Sequence, residues 1–139
     1  MISKTGSAVW SGNLQEGGGT VSSQSGTLSE VDYSVAKRFG DEEGTNPEEL
    51  LAAAHAACYS MALSNVLADH DLVADRLATT ATVSLDPSTL TITTVVLDLD
   101  ATIPGATEEA FQTAANAAKE GCPVSKLFNA EITLNATLS

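Results

Sequence analysis

Two cysteines, Cys58 and Cys122, and two histidines, His55 and His70, are the residues best equipped for chemistry of their own. An ionised thiol is a nucleophile, and two thiols brought together can cycle through a disulfide. Cys58 stands midway along a stretch from Asn46 to about His70 that carries no formal charge between Glu49 and Asp69. Apolar surroundings raise a thiol pKa and blunt it, so Cys58 taken alone reads as a structural cysteine. Cys122 differs. Gly121 ends one helix and Pro123 suits the first position of the next, which puts Cys122 near a helix cap, where a thiolate is favoured. Local physics therefore nominates Cys122 as the better nucleophile.

Metal binding is the competing chemistry. His55 and Cys58 are three apart and share a helix face, and with Cys122 and His70 they would complete a zinc set. Their spacing matches no paired-ligand signature, so His55 reads as a packed core histidine and His70 as a helix C-terminal residue placed for the dipole. No nucleophile elbow, phosphate loop or dinucleotide fingerprint is present, and no cofactor is called for.

The elements that must position these residues are legible in order. Ser7–Trp10 and Gly19–Ser22 flank a glycine-rich turn and predict a hairpin, and Tyr33–Phe39 reads as a further strand. Asn46 caps the long helix, Pro47 opens it, and Glu48 and Glu49 suit its first turn. A helix apolar on every face belongs in a core. Residues Leu77–Leu85 alternate as a strand, Asp86-Pro87-Ser88-Thr89 is a type I turn, and Leu90–Ile103 returns as a second strand. Thr107 caps a helix to Glu120 with Phe111, Ala114, Ala115 and Ala118 on its buried stripe, and residues 130–138 alternate as a final strand. The expected architecture is a single α+β domain over 1–139, an antiparallel sheet packed on a long central buried helix.

Composition bounds the function. A formal charge of −12 argues against nucleic acid and anionic membrane surfaces, which need basic patches. The stretch 50–68 is a poor membrane span, interrupted by His55, Ser60, Ser64 and Asn65 and flanked by acids. Met1–Gly6 lacks the apolar run of a signal peptide, so a cytoplasmic chain with reduced thiols is expected.

The strings Gly44-Thr45-Asn46-Pro47-Glu48-Glu49-Leu50-Leu51-Ala52-Ala53-Ala54-His55-Ala56-Ala57-Cys58 and Gly121-Cys122-Pro123-Val124-Ser125 strongly resemble the OsmC/Ohr family of thiol peroxidases. His55-Ala56-Ala57-Cys58 looks like the OsmC branch. The resemblance covers nearly the whole chain. It implies reduction of organic hydroperoxides, more weakly of hydrogen peroxide, an external dithiol reductant of lipoyl or thioredoxin type, and an intertwined homodimer with two active sites at its interface.

Carried over by position, Cys58 matches the peroxidatic cysteine and Cys122 the resolving one. Arg38 matches the family arginine and Glu48 the glutamate that holds it. This reverses the local ranking of the cysteines, and it requires a cation beside Cys58, which a guanidinium supplies without losing its own proton. Glu48 and Cys58 are ten residues apart on one helix, hence ~15 Å along its axis, and cannot meet within it. If both serve one site, Arg38 and Glu48 come from the other subunit. Leu51, Ala54 and Met61 are candidates for an apolar lining. The rival reading is a non-catalytic dimer that binds a small ligand, or a metal at Cys58, His55 and Cys122.

Overall fold

The computed structural model describes residues 1–139 as two compact units, Met1–Leu50 and Leu51–Ser139. In the first unit, β1 (Gly6–Ser11), β2 (Gly18–Ser23) and β3 (Val31–Tyr33) form an antiparallel sheet in that order, with the predicted hairpin as its first pair. Gly19 lies opposite Trp10 on one side and Tyr33 on the other, and the two rings meet with centroids 5.5 Å apart. A Cβ on Gly19 would stand 2.3 Å from the Val9 carbonyl oxygen and 2.8 Å from the Tyr33 ring, so only glycine fits.

The expected strand over Tyr33–Phe39 is overturned beyond Tyr33. Val35–Phe39 is a short helix, α1, whose start is fixed by the Ser34 hydroxyl accepting from the Lys37 N–H at 3.3 Å. Over so few residues a two-residue period does not separate strand from helix, and the capping serine decides. The long helix α2 (Pro47–Ala68) begins as its sequence predicts, with the Asn46 side chain accepting from the Glu49 N–H at 2.8 Å.

In the second unit, α2 buries His55, Tyr59, Leu63 and Leu67, one residue per turn. Length and composition would let α2 cross a membrane, but this buried stripe packs against protein. Burial within one chain stops at that stripe, and Met61 on another face is 76% exposed. The second sheet runs β4 (Arg76–Asp86), β5 (Thr91–Thr102), β6 (Glu131–Leu138), with β5 in the middle. The β4–β5 turn is the one expected, the Asp86 carboxylate accepting from the Ser88 N–H at 2.8 Å and its hydroxyl at 2.7 Å.

The sheet is antiparallel only in part. β5 and β6 are parallel, because the chain between them crosses over through α3 (Glu108–Gly121) and α4 (Pro123–Leu127) and re-enters from the same end. Thr107 caps α3 as predicted, and Phe111, Ala114, Ala115 and Ala118 are its buried residues. Small side chains leave the α3 backbone within reach of α2, and the Tyr59 hydroxyl donates to the Ala115 carbonyl at 3.1 Å. Tyr59, Leu63, Leu67, Leu97, Leu99 and Phe111 make the heart of this core.

Candidate active site

α2 and the α3–α4 junction bring the two cysteines together. Both are free thiols and they face one another, Cys58 half-buried on α2 and Cys122 wholly buried as the cap residue between α3 and α4. The Cys58 face of α2 is held on both sides. One turn before it, His55 places Nε2 2.8 Å from the Ser125 hydroxyl and sets its ring edge-on to Phe128, centroids 5.2 Å apart. On its other side Ser60 donates to the Ala56 carbonyl at 2.9 Å and meets the Thr79 hydroxyl at 2.7 Å.

Burial pushes the Cys58 thiol up, and its hydrogen bond with Cys122 adds to the rise. Burial also works against ionisation of Cys122, but Cys58, the Ser125 N–H and hydroxyl and the Val124 N–H together hold it below the usual thiol range. Within this unit Cys122 is thus the thiol held toward its ionised form and Cys58 the one held away from it. Access points the other way. Cys122 has no exposed surface, so a solute reaches Cys58 first. Tyr59 is pushed far up by burial and by the charge on Cys122, and burial pushes His55 down.

The first unit joins the other predicted pair. Arg38, at the end of α1, grips Glu48 in the first turn of α2 with Nη2 to Oε1 at 2.6 Å and Nε to Oε2 at 3.0 Å. This bidentate bond holds the Glu48 carboxyl below the ordinary glutamate range and raises the guanidinium pKa further. Arg38 also stacks over the Phe39 ring at 5.1 Å. Around it lies an apolar recess of about 260 Å³ lined by Trp10, Leu14, Tyr33, Val35, Phe39 and Pro47.

The predicted residues thus fall into two constellations, Cys58 with Cys122 and Arg38 with Glu48. His55 packs in the core as expected, no three of the His, Cys, Asp and Glu side chains gather as metal donors, and His70 stands exposed just past α2. Of the candidate lining residues, Ala54 and Met61 are exposed and Leu51 is half-buried. Sequence reasoning missed Ser125, Phe128 and the aromatic recess around Arg38. Ser125 alone carried a signal, standing three residues after the capping Cys122 and so on the first turn of α4.

A family model described as OsmC-like protein matches residues 40–137. Peroxiredoxin OsmC of Escherichia coli (strain K12) is 45% identical over 139 residues, 99% of this chain and 97% of that protein. The organic hydroperoxide resistance protein of Xanthomonas axonopodis pv. citri (strain 306) is 33% identical over 103 residues, 70% of this chain and 68% of that one. Among solved structures, an organic hydroperoxide resistance protein from Elizabethkingia anophelis superposes with a TM-score of 0.74 at 28% identity, covering 97% of this chain and 96% of that chain. Its counterpart from Legionella pneumophila gives 0.71 at 26% identity, covering 96% of each.

Proposed function

This chain belongs to the OsmC family, and we propose that it is a thiol peroxidase that reduces organic hydroperoxides and, more weakly, hydrogen peroxide. The observation that carries this reading is the facing pair of free thiols, one reachable from solvent and one sealed behind it.

The Cys58 thiolate attacks the terminal peroxide oxygen. An S–O bond forms, the O–O bond breaks, and the alkoxide leaves and takes up a proton to become the alcohol. Cys122 then attacks the sulfur of the Cys58 sulfenic acid, forming the S–S bond as the S–O bond breaks and water departs. The buried thiol thereby protects the exposed one from irreversible over-oxidation. An external dithiol, of lipoyl or thioredoxin type, supplies two electrons and two protons to restore both thiols.

The cysteine unit supplies no cation to ionise Cys58. Arg38 is the guanidinium assigned to that task, oriented by Glu48 and acting on both the thiolate and the leaving oxygen. Because Glu48 and Cys58 are ten residues apart on α2, ~15 Å along the helix, Arg38 and Glu48 reach Cys58 from the opposite subunit of a homodimer. The apolar faces of α2 that one chain leaves uncovered suit that association. The aromatic recess beside Arg38 would take the organic part of the substrate and so favour organic hydroperoxides over hydrogen peroxide.

Mass spectrometry after one equivalent of an organic hydroperoxide tests the reading. The expected product carries an internal Cys58–Cys122 bridge. Unchanged thiols would favour the non-catalytic ligand-binding reading.

A further inference from the structure

The reading above leaves one buried polar pair without a task. His55 is fully buried, its Nε2 stands 2.8 Å from the Ser125 hydroxyl, and its Nδ1 has no partner. A buried N–H left without an acceptor is the rarer and costlier orphan, so the proton of the neutral ring sits on Nε2 and the bare nitrogen is Nδ1. Nε2–H then donates to Ser125 Oγ. The hydroxyl is left with its own hydrogen to give, on the first turn of the helix that Cys122 caps. Ser125 and Cys122 occupy the same end of α4, and Ser125 is itself buried.

We infer that His55 and Ser125 are positioning residues for Cys122: His55 aims the Ser125 hydroxyl at the Cys122 sulfur, which is thereby held ready for the resolving step. In that step the Cys122 thiolate attacks the Cys58 sulfenic sulfur, the new S–S bond displaces hydroxide, and the proton that Cys122 gave up on ionising converts the hydroxide to water. Cys122 is oxidised and the sulfenic sulfur reduced. When the external dithiol later opens the bridge, the same hydroxyl receives Cys122 as leaving thiolate. His55 reaches the sulfur only through Ser125.

The other groups that bear on Cys122 are few. Cys58 and Tyr59 face it from α2, while Lys119 and Glu120 of α3 and Lys126 of α4 border the recess that reaches Ser125. None of these replaces the hydroxyl.

The purpose of the relay rests on the peroxidase reading, but its test does not. With Cys58→Ser as background, Cys122 is the one remaining cysteine, and the ultraviolet absorbance of its thiolate can be followed against pH. Adding Ser125→Ala or His55→Phe is expected to raise the midpoint by about one unit, an approximately tenfold lower thiolate-to-thiol ratio at neutral pH. His55→Gln, which can still offer an N–H to Ser125, should recover most of that loss. Should His55→Phe fail to fold, Ser125→Ala carries the measurement. An unmoved midpoint in Ser125→Ala, or a loss in His55→Gln equal to that in His55→Phe, overturns the relay. Absence of peroxide consumption in the unmodified protein would instead sink the peroxidase reading and leave the titration to stand alone.

Discussion

Arg38 spends Nε and Nη2 on the two oxygens of Glu48, at 3.0 and 2.6 Å, and keeps Nη1 for another partner. A guanidinium held by a fork cannot swing, so its remaining donor has a fixed direction. Arg38→Lys keeps the charge but loses the fork. It is expected to lower kcat/KM for an organic hydroperoxide by about 10²-fold, the scale of losing one preorganised donor. Glu48→Gln should lower it less, and steady-state assays of both variants check the order.

The cysteines are distinguished by what each variant traps. Cys58→Ser should abolish peroxide consumption. Cys122→Ser should consume one equivalent and stop at a sulfenic acid, detectable with a sulfenic-specific reagent and mass spectrometry. A Cys122→Ser variant that never forms the acid would contradict the assignment.

Acid should act at two places. Glu48 has a lowered pKa in the folded protein, so its contribution to stability is complete above the unfolded value near ~4.3 and is lost as pH falls through the depressed one. His55 is also lowered, by burial, so its contribution holds above ~6.5 and declines as pH falls below that. Urea midpoints measured downward from neutral pH should begin to drop near ~6.5, and His55→Gln should remove that first decline while keeping the second.

The second-unit core is tightly shared between α2 and α3. Leu63 is fully buried, and Leu63→Ala should cost about 2–5 kcal/mol in urea unfolding. Tyr59→Phe deletes only the hydroxyl that donates to Ala115 and should cost about 1 kcal/mol.

Met61 projects from an uncovered face of α2, 76% exposed. Met61→Asp should weaken association in sedimentation or light scattering and reduce turnover in parallel. A monomeric variant with full activity would refute sharing of Arg38 between subunits.

Most of the elements were legible because their signals are local. Asn46, Thr107 and the Asp86 turn each fix a boundary through a side-chain hydrogen bond a few residues away. The short helix α1 was misread as strand because its capping serine competes with an alternating pattern over five residues. The parallel pairing of β5 and β6 was invisible because the period of a strand carries no information about its direction. At the candidate site, the OsmC-like strings nominated Cys58, Cys122 and Glu48, and the wider resemblance added Arg38 in Lys37-Arg38-Phe39. Ser125 escaped because its bond to His55 spans seventy residues of sequence, and only the packing of α4 against α2 creates it.

The crossover that makes β6 parallel to β5 also sets when the sulfurs can meet. Cys122 rides inside that connection, and β6 lies downstream of it. During synthesis the hairpin of β4 and β5 can zip first, whereas the crossover closes only once β6 has left the ribosome and found its register. Cys122 follows Cys58 by 64 residues, and α3, which leads to it, is tied to β6 by the Gln112 side chain donating to the Ala136 carbonyl, so the thiol pair is completed late in synthesis.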